Sequence, residues 1–245
     1  MLSADPDAMR SSDARDWCRL ILEPEPQEPQ RSDRRIAVDV GWRRTGGDRR
    51  IAADEALRAS LSRQGADAAG IRFSRVCGWC GGDHGAVRAA GWPGAVSVTY
   101  AAGWAIVATT ADLEGGAAGR AGGGSGFGAG FAIDAAPANL DAAAVRRIRD
   151  ALHDDRADTT TWTRVEAALK ADGRGLRVDP ATVRLSTRGG CVFAEVPAPA
   201  ASTGPAAGSG PAPRRYAVHP LPGPADVVVS VAVAAPEAPA RRATG

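Results

Sequence analysis

The sequence predicts an α+β (α/β) protein in two halves, on three observations. The second half reads as strand, helices and then an antiparallel meander. The first half repeats that order in shorter form, as helix, strand and hairpin. Between them, residues 111–130 are nearly half glycine and predict a flexible connection. The expected domains are a disordered tail over residues 1–34, an N-terminal subdomain over 35–126 ending in the glycine-rich linker, and a C-terminal subdomain over 127–245 carrying the chemical motifs. With 245 residues, 44% of them hydrophobic, the chain can fill one ordinary core or two small ones.

The tail follows from EPEPQEPQRSDRR, too poor in apolar residues to offset its ordering entropy. Residues 53–64 predict a helix, because Leu57 and Leu61 at i and i+4 make an apolar stripe beside Arg58 and Arg63. IRFS predicts a short strand that runs into the turn RVCGWCGGDHG. VSVTY and WAIVATT, β-branched and broken at Gly103, predict a strand pair. In the second half FAID predicts a buried strand, residues 140–153 an amphipathic helix, and residues 160–171 a second helix with Thr159 or Thr160 as N-cap and Gly173 and Gly175 as stops. TVRLST, CVFAEV, RYAVHPL and DVVVSVAVAA predict the meander, with a loop over 197–213.

A net charge of +2 gives no electrostatic pull toward nucleic acid or anionic lipid. The longest apolar run, 227–235, is half of what a bilayer span needs, and the N-terminus carries charges where an export signal needs an apolar stretch; the expectation is a cytoplasmic protein. Cys18, Cys77, Cys80 and Cys191 are then expected as thiols. Twenty-nine of the 30 basic residues are arginine, and the one lysine is Lys170.

Common enzyme signatures fail: no G-x-G-x-x-G, no phosphate-loop Gly-Lys-Ser/Thr, no G-x-S-x-G and no paired-histidine metal helix occurs. Two constellations remain. Cys77-x-x-Cys80-x-x-x-His84 offers three soft donors to zinc, but a closed site needs four, and Cys191 or His219 would have to come from far along the chain; the competing reading is a glycine-rich turn with bystander thiols. The other joins Asp134, at a strand end, to the helix bearing Glu166 and Lys170 at i and i+4, with Trp162, Val165 and Leu169 as its apolar stripe. An exposed Glu-Lys pair is the plain reading. A lone lysine among arginines argues instead for a compact ammonium with a transferable proton, and carboxylates beside it suit a hard cation such as Mg2+.

FAID (131–134), then W-x-x-x-E-A-x-x-K (162–170) and ADGRGL, resembles the 4′-phosphopantetheinyl transferase superfamily of the surfactin-synthetase-activating type. IRFS, His84-Gly85, VSVTYAAGWAIVA and VDPATVRL extend the resemblance over residues 45–235. It implies two similar subdomains related by a pseudo-twofold, with coenzyme A in the cleft between them. The implied activity is Mg2+-dependent transfer of 4′-phosphopantetheine from coenzyme A to a serine of an acyl or peptidyl carrier protein, by a monomer. Asp134 and Glu166 would hold Mg2+, Glu166 would take the serine proton, and Lys170 would contact phosphate. Arg58, Arg75 and His84 would be further coenzyme A contacts. The sequence departs from the family pattern at Ala132, Ala136, Tyr100 and Val87, where the family has glycine, a second acid, histidine and proline. The alternative implied reading is a weakened or inactive member that binds coenzyme A or a carrier protein.

Overall fold

Inward and outward residues alternate along several of the strands, and each half pairs the strand before its first helix with its last strand. The computed structural model describes residues 3–4, 17–22, 36–111, 113, 130–199 and 212–235. In the first half, β1 (Ser3–Ala4), β2 (Trp17–Leu22), β3 (Ile36–Arg44), β6 (Ala95–Ala101) and β7 (Trp104–Thr110) form an antiparallel sheet in the order β1-β2-β3-β7-β6. Helix α1 (Arg49–Arg63) follows β3, and a separate hairpin of β4 (Arg72–Val76) and β5 (Asp83–Ala90) precedes β6. In the second half, β8 (Phe131–Pro137) is followed by α2 (Ala142–Leu152) and α3 (Thr159–Asp172). The meander β9 (Arg184–Arg188), β10 (Cys191–Val196), β11 (Arg214–Leu221) and β12 (Val227–Ala234) then gives the order β8-β12-β11-β10-β9. Mixed helices and antiparallel sheets make the fold α+β.

Asp39 pairs with Thr109 where β3 meets β7, and Asp134 with Ser230 where β8 meets β12. Val38, Val40 and Ile106 of one sheet share an apolar core with Phe131, Ile133, Val229 and Val231 of the other. On the opposite face of the first sheet, Leu57 of α1 packs on Val107; on that of the second, Val165 and Leu169 of α3 pack among Ala132, Tyr216 and Val218. The halves also touch directly where the Ile133 amide donates to Ser97 Oγ at 3.0 Å.

Three expectations need correction. Residues 17–22 are a strand, not tail: Cys18, Leu20 and Leu22 alternate into the shared core and β2 pairs with β3. The first helix begins at Arg49, because Asp48 accepts from the Arg50 amide at 2.7 Å and so caps it. The cap of α3 is Asp158, whose carboxylate accepts from the Thr161 amide at 2.7 Å and its hydroxyl at 2.8 Å; Thr159 is already helical. Gly173 ends α3 at φ 86, a left-handed conformation that glycine adopts without strain. Most of the glycine-rich connection, most of the 197–213 loop and most of the expected tail lie outside the described residues. Asp158→Ala should cost about 1 kcal/mol and lower Tm by about 2–4 °C in thermal unfolding. An unchanged Tm would show that the cap contributes nothing to α3.

Candidate functional site

Strand periodicity decides which way each residue of β8 points. Phe131, Ile133 and Ala135 enter the shared core, so Asp134 faces α3, where it is 4% exposed. Lys170 reaches it from the last turn of α3, with Nζ 2.5 Å from Oδ1. Thr99 of β6 donates to the same oxygen at 3.3 Å. Glu166 lies one helical turn before Lys170 and is half-buried. Among the described residues no hydrogen bond or ion pair holds its carboxylate.

Burial pushes the Asp134 carboxyl up, against the opposing pull of Lys170 and the Thr99 hydroxyl. Burial also pushes Glu166 up; the Asp134 charge adds to the effect and Lys170 opposes it. The ammonium pairs with Asp134 and reaches Glu166 only through space, so burial and the Asp134 charge hold the proton affinity of Glu166 above the ordinary carboxylate range. The donor set suits Mg2+, which takes one or two carboxylates and completes its octahedron with water and substrate oxygens. Ala136, two residues on, is buried and offers no third oxygen.

The other expected contacts are spread out. Arg58 donates to the carbonyls of Ala68 and Ile71 and lies over the Phe73 ring, so its guanidinium holds the connection between α1 and β4. Arg75 is paired with Asp54. His84 sits at the tip of the β4-β5 hairpin, its Nε2 2.9 Å from Cys80 Sγ. At that tip the amides of Cys80 and Trp79 hold the Cys77 thiol below its ordinary value. Cys191, on β10, and His219, on β11, are not part of this group.

Two features escaped the sequence. Arg49 stacks 5.0 Å from the Tyr100 ring centre, and the charges of Arg75, Arg49 and Arg50 all act on the Tyr100 hydroxyl, although burial leaves it above its ordinary value. Three guanidiniums therefore gather near the end of β6, two of them paired, Arg75 with Asp54 and Arg50 with Asp83. Their gathering required knowledge of how α1 and β4 pack on β6. The second feature is Asp39, the counterpart of Asp134 in the first half: IAVD (36–39) repeats FAID (131–134), and both aspartates face the helix of their own half. Asp39 is 2% exposed and accepts from Ser60 Oγ at 2.7 Å and from Arg63 at 2.7 Å. Ser60 also contacts Thr109 Oγ1 at 2.6 Å, as Thr163 of α3 contacts Ser230 Oγ at 2.9 Å. Three residues after Ser60 stands Arg63; three after Thr163 stands Glu166. In the first half that position supplies the cation that pairs with the buried carboxylate; in the second it carries another carboxylate, and the pairing cation is Lys170, one turn further on.

Two concave surface regions, one beside Gln64, Ile71 and Trp92 and the other beside Trp17, Trp42 and Arg63, lie away from Asp134. No protein-family model matches the chain, and no curated protein matches it.

Proposed function

We propose that the chain transfers 4′-phosphopantetheine from coenzyme A to a serine of an acyl or peptidyl carrier protein, with Mg2+ held by Asp134 and Glu166. The observation that carries this reading is a buried aspartate and a half-buried glutamate, from different elements, placed around one lysine that pairs with the aspartate, in the order and spacing that the family resemblance requires. Its fold counterpart, two similar subdomains in a pseudo-twofold arrangement, draws support from the pairing, in each half, of the strand before the first helix with the last strand, and from the corresponding positions of Asp39 and Asp134.

When bound, Mg2+ would offset charge on the pyrophosphate oxygens. Glu166, its proton affinity raised by burial, accepts the serine proton as the serine oxygen bonds to phosphorus. The bond from phosphorus to 3′,5′-ADP breaks, and Lys170 stabilises the charge on the departing oxygen. Lys170 is positioned for this by its ion pair to Asp134, with its side chain still 36% exposed. The guanidiniums of Arg49, Arg50 and Arg75 around Tyr100 are the proposed phosphate contacts on the first half. A cytoplasmic monomer without nucleic-acid or membrane partners completes the proposal.

Purified chain mixed with coenzyme A, Mg2+ and a set of apo carrier proteins should add one phosphopantetheine mass to at least one carrier. If none gains it while a standard transferase modifies the same set, the enzyme reading fails. The apolar Ala136 favours one second reading, a protein that binds coenzyme A or a carrier without turnover. Calorimetry that finds coenzyme A binding independent of Mg2+ in the absence of transfer would support it.

A further inference from the structure

We infer that Cys77, Cys80 and His84 form a binding site for one zinc ion at the tip of the β4-β5 hairpin, apart from the carboxylate site. Their ligand atoms all lie within 4.8 Å of one another. Cys80 Sγ and His84 Nε2 are 2.9 Å apart, a contact that opens by a few tenths of an ångström, to roughly 3.5 Å, when both take adjacent corners of a zinc tetrahedron. The backbone is shaped for that convergence. The Gly81 amide donates to the Cys77 carbonyl at 2.9 Å and the Cys77 amide to the Gly82 carbonyl at 2.8 Å, closing a tight turn. Gly81 sits at φ +70, a left-handed conformation. The Gly82 amide points at Cys80 Sγ, 3.4 Å away, an orientation that supports a thiolate ligand.

One glycine makes room for the donors, and another lets the two strands close beside them. A Cβ at Gly82 would lie 3.1 Å from the His84 ring and 3.3 Å from Cys80 Sγ, so any side chain there would press on both. A Cβ at Gly85 would lie 2.5 Å from the Val76 carbonyl oxygen, beside the irregular pairing of Ser74 and Val76 that turns the hairpin tip. A bystander turn or a simple dithiol pair needs neither the imidazole against the sulfur nor the glycine that admits it.

Two thiolates and an imidazole are a soft set that selects zinc over magnesium or calcium. Two thiolates also neutralise the ion. The three donors are half-buried or exposed, so the ion can enter from solvent, and the fourth position belongs to water. Trp79, inside the chelate loop, stacks 3.9 Å from the guanidinium of Arg177, which follows α3 in the second half. A metal that fixes the loop therefore fixes a contact between the halves.

The test reads metal, not transfer, and so stands separately from the proposed enzyme activity. Full-length protein from zinc-replete cells, washed free of loose metal, should hold about one zinc per chain by elemental analysis. Cobalt(II) in its place should show the thiolate-to-cobalt charge-transfer band and the visible spectrum of a tetrahedral site. Cys80→Ser and His84→Ala should each weaken zinc binding at least a hundredfold in a competition titration, more than the ~10–100-fold typical of losing a group that only orients a ligand. Cys191→Ser should leave it unchanged. Zinc far below one per chain in the parent protein, cobalt without the charge-transfer band, or unchanged affinity in folded Cys80→Ser would each overturn the site. The parent stoichiometry decides even if a variant fails to fold.

Discussion

Glu166→Gln should abolish carrier modification while making the protein more stable at neutral pH. Transfer should fall by at least about a hundredfold, since the substitution removes a proton acceptor and a Mg2+ ligand together. The stability gain follows from the direction of the shift. Burial, reinforced by Asp134, raises the Glu166 carboxyl in the folded state. Between the ordinary carboxylate range and that raised value, the folded chain binds more protons than the unfolded chain, so stability falls as pH rises through the window. Above it the folded protein bears the full cost of a charge held near another carboxylate, and glutamine removes that cost. Because Glu166 is only half-buried and solvent screens part of the repulsion, the expected rise in Tm at pH 7 is on the order of 1–2 °C. At pH values below the ordinary carboxylate range, both states of the parent are protonated and the two melting curves should coincide. Mass spectrometry of carriers and calorimetry from about pH 3 to 8 read the two effects. A variant that keeps its transfer rate, or whose Tm falls at pH 7, would remove Glu166 from the proposed role.

Asp39→Ala should do the reverse, costing stability with little change in transfer by the fraction that remains folded. Its carboxylate is buried and holds Arg63 and the buried Ser60. Removing it leaves an unbalanced guanidinium and a hydroxyl in the space between α1 and the first sheet. Breaking a buried pair from one side costs roughly 3–5 kcal/mol, and Arg63, itself 26% exposed, keeps a route to water that sets the low end. About 3 kcal/mol lowers Tm by about 6–12 °C in a chain of this size. Thermal unfolding and a transfer assay below the transition separate the roles. Loss of transfer with unchanged stability would place chemistry at Asp39 and overturn the contrast between the halves.

The second half was largely legible in the sequence because its signals are local. Leu169 and Val165 mark the buried side of α3, Gly173 its end, and the β-branched runs of the meander are separated by turn residues. Asp134, Glu166 and Lys170 could be picked out from one strand end and one helix. The first half gave up less. β2 lies beside a proline- and glutamate-rich stretch that hides three alternating core residues, and β3 carries a buried aspartate where apolar alternation would announce a strand. Both owe their place to partners distant in sequence, which no short window contains. The same holds for Asp39, whose buried state depends on Ser60 and Arg63, and for the guanidiniums gathered from α1 and β4 near Tyr100 of β6. The caps were misread for a smaller reason: a threonine and an aspartate both suit the cap position, and only the backbone shows which one stands outside the helix.

Pairing the strand before each half's first helix with its last strand has a consequence for the order of assembly. The edge of β3 away from β2 stays unpaired until Trp104 to Thr110 has emerged, and β8 must wait for Val227 to Val233 in the same way. Such distant pairings carry a high loop-closure cost and make slow folders. During synthesis the first sheet can close before β12 exists, presenting β6 as a finished edge. The arriving β8 then has a surface to settle on, with the Ile133 amide meeting Ser97 and the Asp134 carboxylate meeting Thr99. The carboxylate that faces Lys170 is thus set in place partly by the half made first, and a separately expressed second half would lack the Thr99 hydroxyl that steadies it.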